Sequence, residues 1–157
     1  MPGTNSRNLT LIREGGNVRV RVTYNAVFSA FERNLAGLGM QFVERISTLG
    51  VDPPGSTTGT VLAPAEFPAQ VITVLPGAGP ISIPRSREIV VTRAQLDEDS
   101  NILLPPDIDA DEIRCRIRIQ SIGLPPAITP DAFTDQEVLG LVVAPLPAAA
   151  AAASASD

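Results

Sequence analysis

The chain contains no histidine, no lysine and no tryptophan, and all twelve of its basic residues are arginines. Without histidine the usual proton shuttle of enzymes is missing, and without lysine no Schiff base can form. No Gly-x-Ser-x-Gly, Walker-type or Gly-x-Gly-x-x-Gly motif is present either. We therefore predict that the protein is not an enzyme. A hydrolase that uses two carboxylates, as glycoside hydrolases do, is the remaining enzymatic alternative.

Cysteine is limited to Cys115, so an intramolecular disulfide is excluded. This residue stands in a run of alternating apolar side chains, and we predict a small buried hydrophobic group rather than a reactive thiol. A metal that prefers nitrogen or sulfur ligands is disfavoured because the chain has one cysteine and no histidine.

The chain has 12 basic and 17 acidic residues, so its formal net charge is -5. This charge opposes long-range attraction to nucleic acid, and no aromatic residue alternates with the arginines to stack bases.

No segment approaches the roughly 18 to 20 apolar residues of a membrane span, and Met1 to Asn17 lacks a signal-peptide core. We expect no nucleic-acid partner, no membrane span and a cytoplasmic location by default, with export by another route left open. The use of arginine alone, with abundant alanine and proline, suggests a GC-rich bacterial genome.

Aromatic residues are scarce, at 4% of the chain, so the core must consist mainly of valine, isoleucine and leucine, which favour sheets. Apolar residues alternate strictly in Val18–Tyr24 and in Ile113–Ile119, and many prolines and glycines separate the other short apolar runs. We predict an all-β fold: one antiparallel β-sandwich over residues 1–143, Ig-like in general architecture, with one or two short helical connections. The Ala-, Pro- and Ser-rich residues 144–157 are predicted to be a disordered tail or linker.

Several local signals place the elements of the amino-terminal half. A turn at Glu14–Asn17 predicts a hairpin between the Leu9–Leu11 segment and the Val18–Tyr24 strand, continued through a bulge that lets Phe28 face inward. Ser29–Glu32 has the form of a capping box that opens a helix of two turns, ended by glycines at 37 and 39.

The strand predicted from Met40 to Leu49 places Glu44 on its apolar face. Two explanations are open: a bulge turns Glu44 outward, which we favour, or the side chain is buried and paired with an arginine. Further strands are predicted within 60–62, 69–75, 81–83, 88–92 and 138–143, and Thr92–Gln95 forms a second capping box.

Two rows of arginines follow the alternating runs. In a strand the side chains of each row emerge from one face about 6.6 Å apart. One interpretation is a binding platform for phosphates or a carboxylate-rich surface, because guanidinium groups bind such groups bidentately. The interpretation that we favour is a solvated outer face on which the arginines pair with acids of adjacent strands. The rows consist of Arg19 and Arg21, and of Arg114, Arg116 and Arg118.

Acidic residues flank a proline-containing loop on both sides. Carboxylates that converge from two ends of a loop are what Ca²⁺ coordination requires, although the EF-hand pattern is absent. We expect no cofactor, with Ca²⁺ as the alternative, and favour the simpler interpretation of a charged loop that keeps one end of the sheet soluble. The candidate ligands are Asp97, Asp99, Asp107, Asp109 and Asp111.

The absence of catalytic groups and the β-strand pattern favour a structural or protein–protein interaction module, a subunit of a homomeric or larger assembly. An exposed edge strand can pair with another chain, and Leu9, Thr10 and Leu11 form the best candidate. The alternative from another class is a Ca²⁺- or anion-dependent ligand-binding domain.

Overall fold

The computed structural model describes residues 1–51, 59–96, 111–123 and 131–139. These residues are mostly β, with one α-helix, and every strand pair is antiparallel, which confirms the predicted all-β antiparallel class. The strands are β1 Gly3–Glu14, β2 Asn17–Phe28, β3 Gln41–Val51, β4 Thr60–Val61, β5 Gln70–Ile72, β6 Ile81–Thr92, β7 Asp111–Ile122, β8 Ala132–Phe133 and β9 Glu137–Leu139. The helix α1 is Ala30–Gly37, and two 3₁₀ turns cover Ala63–Ala65 and Arg93–Gln95.

The strands form two open sheets. The first sheet has the order β1-β2-β6, so that β1 and β6 are its edges among the described residues. In the second sheet β3 and β7 are paired along their whole length at the centre. The short strands β4 and β5 pair with the other side of β3, and β8 and β9 pair with the other side of β7.

Strand β2 alternates between buried and more accessible residues along its whole length. Every second residue from Val18 to Phe28 is at most 2% exposed, and the pairing with β6 continues without a shift from Asn17 to Phe28. The bulge predicted after Tyr24 is therefore wrong, since the even spacing already turns Phe28 inward. The register shift lies in β1 instead, between Asn5 and Asn8, where Ser6 has a φ of 51°.

Strand β6 is one continuous element, whereas the sequence predicted separate strands at 81–83 and 88–92. Pro84 interrupts the apolar pattern, but an edge strand tolerates proline because one side of its backbone need not bond to a neighbour. Arg85 and Arg87 occupy the same face as the half-buried Ile83 and Ile89. These two inward arginines hide the strand from a search for apolar alternation.

Both predicted capping boxes are present. At the start of α1 the Ser29 hydroxyl accepts a hydrogen bond from the amide of Glu32 at 3.3 Å, and the Glu32 carboxylate accepts one from the amide of Ser29 at 2.7 Å. At the second box the Thr92 amide donates to Gln95 at 2.8 Å and only a 3₁₀ turn follows. These caps satisfy amides that have no partner within the helix.

A single hydrophobic cluster receives side chains from both sheets. Phe28 of the first sheet and Phe42 of the second pack with ring centroids 4.9 Å apart. Cys115 is fully buried in this cluster, and its burial raises the pKa of the thiol to about 12, which confirms the prediction of a hydrophobic role. The final strand begins one residue earlier than predicted, at Glu137 of β9, while residues 140–143 and the tail at 144–157 lie outside the described residues.

Candidate functional site

The first arginine row lies on the outer face of the first sheet and is paired with acids. Arg19 contacts Glu88 and Glu14, each at 2.8 Å, and Arg21 contacts Glu88 at 2.8 Å. The hydrogen bonds that Arg19 donates to Glu14 and then to Glu88 raise the pKa of Arg19. The hydrogen bond that Glu88 accepts from Arg21 lowers the pKa of Glu88; desolvation opposes this shift and Arg19 reinforces it. These contacts are those expected of arginines paired across strands.

The second row lies on β7 in the other sheet, so the two rows are not neighbours. Arg118 binds Asp131 bidentately at 2.8 and 2.9 Å, and Arg116 lies 3.7 Å from the same carboxylate. Arg114 donates to the carbonyl of Thr134 at 3.2 Å, and its guanidinium lies 4.8 Å from the centre of the Phe133 ring. The segment that carries β8 therefore engages all three arginines.

Another arginine joins the second row, and the sequence analysis missed its role. Arg45 of β3 lies directly opposite Arg118 of β7, and Ser47 lies opposite Arg116. Directly opposed residues of an antiparallel pair point to the same face, which brings these side chains together. The sequence places Arg45 on the outward face of its strand, but it contains no signal that β3 pairs with β7 rather than with another strand.

These side chains border a depression of about 530 Å³ on the outer face of the second sheet. One wall consists of the segment after the first 3₁₀ turn, where Glu66, Phe67 and Pro68 stand. Ser47 donates a hydrogen bond of 3.5 Å to Glu66. The depression thus combines an arginine-rich floor with a partly apolar wall. The full lining is Arg45, Ile46, Ser47, Glu66, Phe67, Pro68, Ala69, Arg116 and Arg118.

Glu44 is fully buried, and the favoured prediction of an outward bulge is wrong. The register of β3 with β7 is continuous through Glu44 and Ile119, and the Glu44 side chain points into the space between the sheets. Arg85 donates to one carboxylate oxygen at 2.9 Å, and Arg87 contacts the other oxygen. The alternative prediction, burial with an arginine partner, is the correct one. Two guanidinium groups offset the cost of removing the carboxylate from water.

The partners of Glu44 are themselves held in place. Arg85 donates to the Gln70 side chain at 2.6 Å, and Arg87 donates to the carbonyl of Pro68 at 2.8 Å. The hydroxyl of Tyr24 donates to Glu44, and burial first, then this hydrogen bond and the charge of Glu44, raises the pKa of the phenol. Burial alone would lower the pKa of Arg85, but the hydrogen bond and charge of Glu44 raise it overall. This network ties β2 and β6 of the first sheet to β3 and β5 of the second.

The candidate calcium ligands fall largely outside the described structure. Asp97, Asp99, Asp107 and Asp109 are not among the described residues, and Asp111 is described only as the first backbone position of β7. Within the described ranges, no group of three or more acidic or cysteine side chains is arranged to hold a metal ion. The calcium site stays a prediction.

The candidate assembly segment lies in the regular half of β1. Leu9 pairs with Val22 and is buried, whereas Thr10 and Leu11 are partly exposed. Of the strands that the structure describes, β2 is the one that pairs with β1.

Of the helices in the described residues, none has the length and apolar character of a membrane-spanning segment. Compared with protein-family models, curated proteins and solved structures, the chain matches none.

Proposed function

We propose that the protein is a noncatalytic interaction module that assembles with copies of itself through the edge of β1. The observation that carries the proposal is the regular pairing of residues 8–14 with β2, on a strand whose other side pairs with no described strand. Such an edge presents unpaired amides and carbonyls, which a strand of a second molecule can bond. Leu9, Thr10 and Leu11 are the centre of the proposed contact.

The two edges of the first sheet differ in a way that favours β1. On β6, Pro84 removes an amide donor and two inward arginines must stay beside Glu44, and both features discourage pairing with another chain. The first half of β1 is interrupted by the bulge between Asn5 and Asn8. The segment from Asn8 to Glu14 is therefore the longest regular part of β1.

We further propose that the two sheets form an open β-sandwich, Ig-like in general arrangement. Support comes from the shared hydrophobic cluster and from the contacts of Glu44 with Tyr24, Arg85 and Arg87, which reach from one sheet to the other. In a sandwich both sheets contribute alternating residues to one core. In this arrangement partners can contact the outer faces and the side of β1 that pairs with no described strand.

The noncatalytic part of the proposal rests on the chemistry of the side chains. Histidine and lysine are absent from the sequence, and the Cys115 thiol is buried with a raised pKa. The two oxygens of Glu44, which is a fully buried carboxylate, are occupied by Arg85, Arg87 and Tyr24. A general acid or base must reach its substrate, and Glu44 has no free position to do so.

A matched pair of charge substitutions tests assembly through β1. Ile12 and Val90 both lie directly across from Arg19, one on each edge strand. Ile12→Glu and Val90→Glu thus place the same new carboxylate beside the same arginine. In a pair of β1 edges the Ile12→Glu charge of each chain lies within the contact and disfavours pairing, whereas the Val90→Glu charge lies on the opposite edge of the sheet.

Molar mass is measured by light scattering over a range of protein concentrations. We expect a concentration-dependent oligomer for the wild type and for Val90→Glu, and a monomer for Ile12→Glu with an unchanged circular dichroism spectrum. A monomeric wild type at all concentrations, or equal dissociation by both substitutions, contradicts assembly through β1.

A further inference from the structure

We propose that the depression on the outer face of the second sheet binds a small organic oxyanion, a carboxylate or a phosphate ester. The binding groups are Arg45, Arg116, Arg118 and Ser47. This function is independent of the proposed assembly, because the site lies on β3 and β7 whereas the assembly edge belongs to β1 of the other sheet.

The register of β3 with β7 places like charges directly opposite each other. Arg45 lies across from Arg118, a cross-strand arrangement that is unfavourable unless an anion stands between the charges. Asp131 supplies one carboxylate, which binds Arg118 bidentately and lies 3.7 Å from Arg116. No described carboxylate lies within ion-pair distance of Arg45. Counted over the described residues, the arrangement is therefore one negative charge short.

The charge balance of the depression is opposite in sign to that of the chain. Within the part of the chain that the structure describes, three arginines face two carboxylates, Asp131 and Glu66, so the local sum is positive in a chain of formal charge -5. The arginine row on the first sheet is different, because Arg19 and Arg21 both bind carboxylates at 2.8 Å. An added anion would compensate the charge of Arg45, which has no described ion-pair partner. Arg19 is already compensated by Glu14 and Glu88.

The shape of the site selects the size of the ligand. Its volume of about 530 Å³ falls within the range of small-molecule sites, roughly 300 to 1,000 Å³. Guanidinium groups at the floor suit the planar or tetrahedral oxygens of a carboxylate or phosphate. Pro68 and Ala69, which are exposed on the wall, offer an apolar surface to the organic part of the molecule.

Calorimetric titration at low ionic strength tests the proposal, with inorganic phosphate and succinate as separate probes. We expect at least one probe to bind with a Kd of about 1 mM or tighter. Arg45→Gln should weaken that binding about tenfold, since it removes one charge-assisted hydrogen bond. The control Arg19→Gln removes the same charge from the paired row and should leave the affinity unchanged.

Each result has a defined meaning. Binding of phosphate alone or of succinate alone, with loss in Arg45→Gln, supports the site and identifies the preferred oxyanion. Binding of neither probe, or an equal loss in Arg45→Gln and Arg19→Gln, overturns it. Repeating the titration with Ile12→Glu separates the two proposals, since anion binding should survive the loss of assembly.

Discussion

At the scale of single residues, Tyr24 shows how strongly the space between the sheets affects a side chain. It is 2% exposed and donates its hydroxyl to the carboxylate of Glu44. Both burial and the negative charge disfavour the phenolate, so the pKa of Tyr24 lies far above its usual range. The phenol is thereby kept as a hydrogen-bond donor.

The chain has one tyrosine and no tryptophan, so phenolate absorbance near 295 nm reports Tyr24 alone. We expect no ionisation of Tyr24 in the folded protein at pH 11. In denaturant the phenol should ionise with the ordinary tyrosine pKa of about 10. Because the folded pKa is raised, the stability that this phenol contributes is fully present below about pH 10 and is lost as the pH rises above it. A phenolate signal near pH 10 without unfolding would contradict this role.

At the scale of elements, one arginine fixes helix α1 to the connection between β5 and β6. Arg33 donates to the carbonyls of Leu75, Pro76 and Gly79 at 2.8, 2.9 and 2.7 Å. A β-carbon at Gly77 would lie 2.0 Å from the Arg33 guanidinium, whereas one at Gly79 would contact nothing within 4 Å. The three hydrogen bonds of Arg33, called the Arg33 clamp below, therefore require glycine at position 77 but not at position 79.

We expect Gly77→Ala to displace the guanidinium and to lower the free energy of unfolding by about 1 kcal/mol, the net value of one or two hydrogen bonds. Gly79→Ala is the matched control and should change stability less. Urea unfolding followed by circular dichroism measures both. An equal loss in the two variants would mean that the Arg33 clamp does not account for the lower free energy of unfolding.

The elements also show what the sequence could and could not predict. The hairpin of β1 and β2, helix α1 and strand β7 follow from local alternation, turn residues and capping boxes, which act over a few neighbours. The sequence predicts two strands in place of β6 because Arg85 and Arg87 break the apolar pattern. Their partner Glu44 is 41 and 43 residues away, beyond the reach of a local pattern. The site around Arg45 depends on the pairing of β3 with β7, and local sequence does not encode that pairing.

At the scale of the whole molecule, the contacts of Glu44 join the two sheets. Removing one member of a buried ion pair leaves the opposite charges without compensation and costs about 3 to 5 kcal/mol. We expect this range of loss in the free energy of unfolding for Glu44→Gln, because two guanidinium groups then lack their carboxylate. Urea denaturation provides the measurement.

Glu88→Gln is the control for this prediction, since Glu88 also contacts two arginines but lies on the outer face. Exposed ion pairs contribute little, so the loss for Glu88→Gln should be much smaller. Similar losses for the two variants would show that the buried contacts of Glu44 stabilise the fold no more than the ion pairs of Glu88 on the outer face.

The pairing of β3 with β7 also constrains how the chain folds. Strand β3 ends at Val51, and the strand that covers its whole length ends at Ile122. During synthesis on a ribosome, the second sheet cannot form its central pair until most of the chain has emerged, whereas the β1–β2 hairpin can form at once. Pairing between distant segments slows folding, typically to milliseconds or seconds. The nascent chain therefore carries the hairpin, with its open β1 edge, well before the second sheet can cover the apolar face of β2.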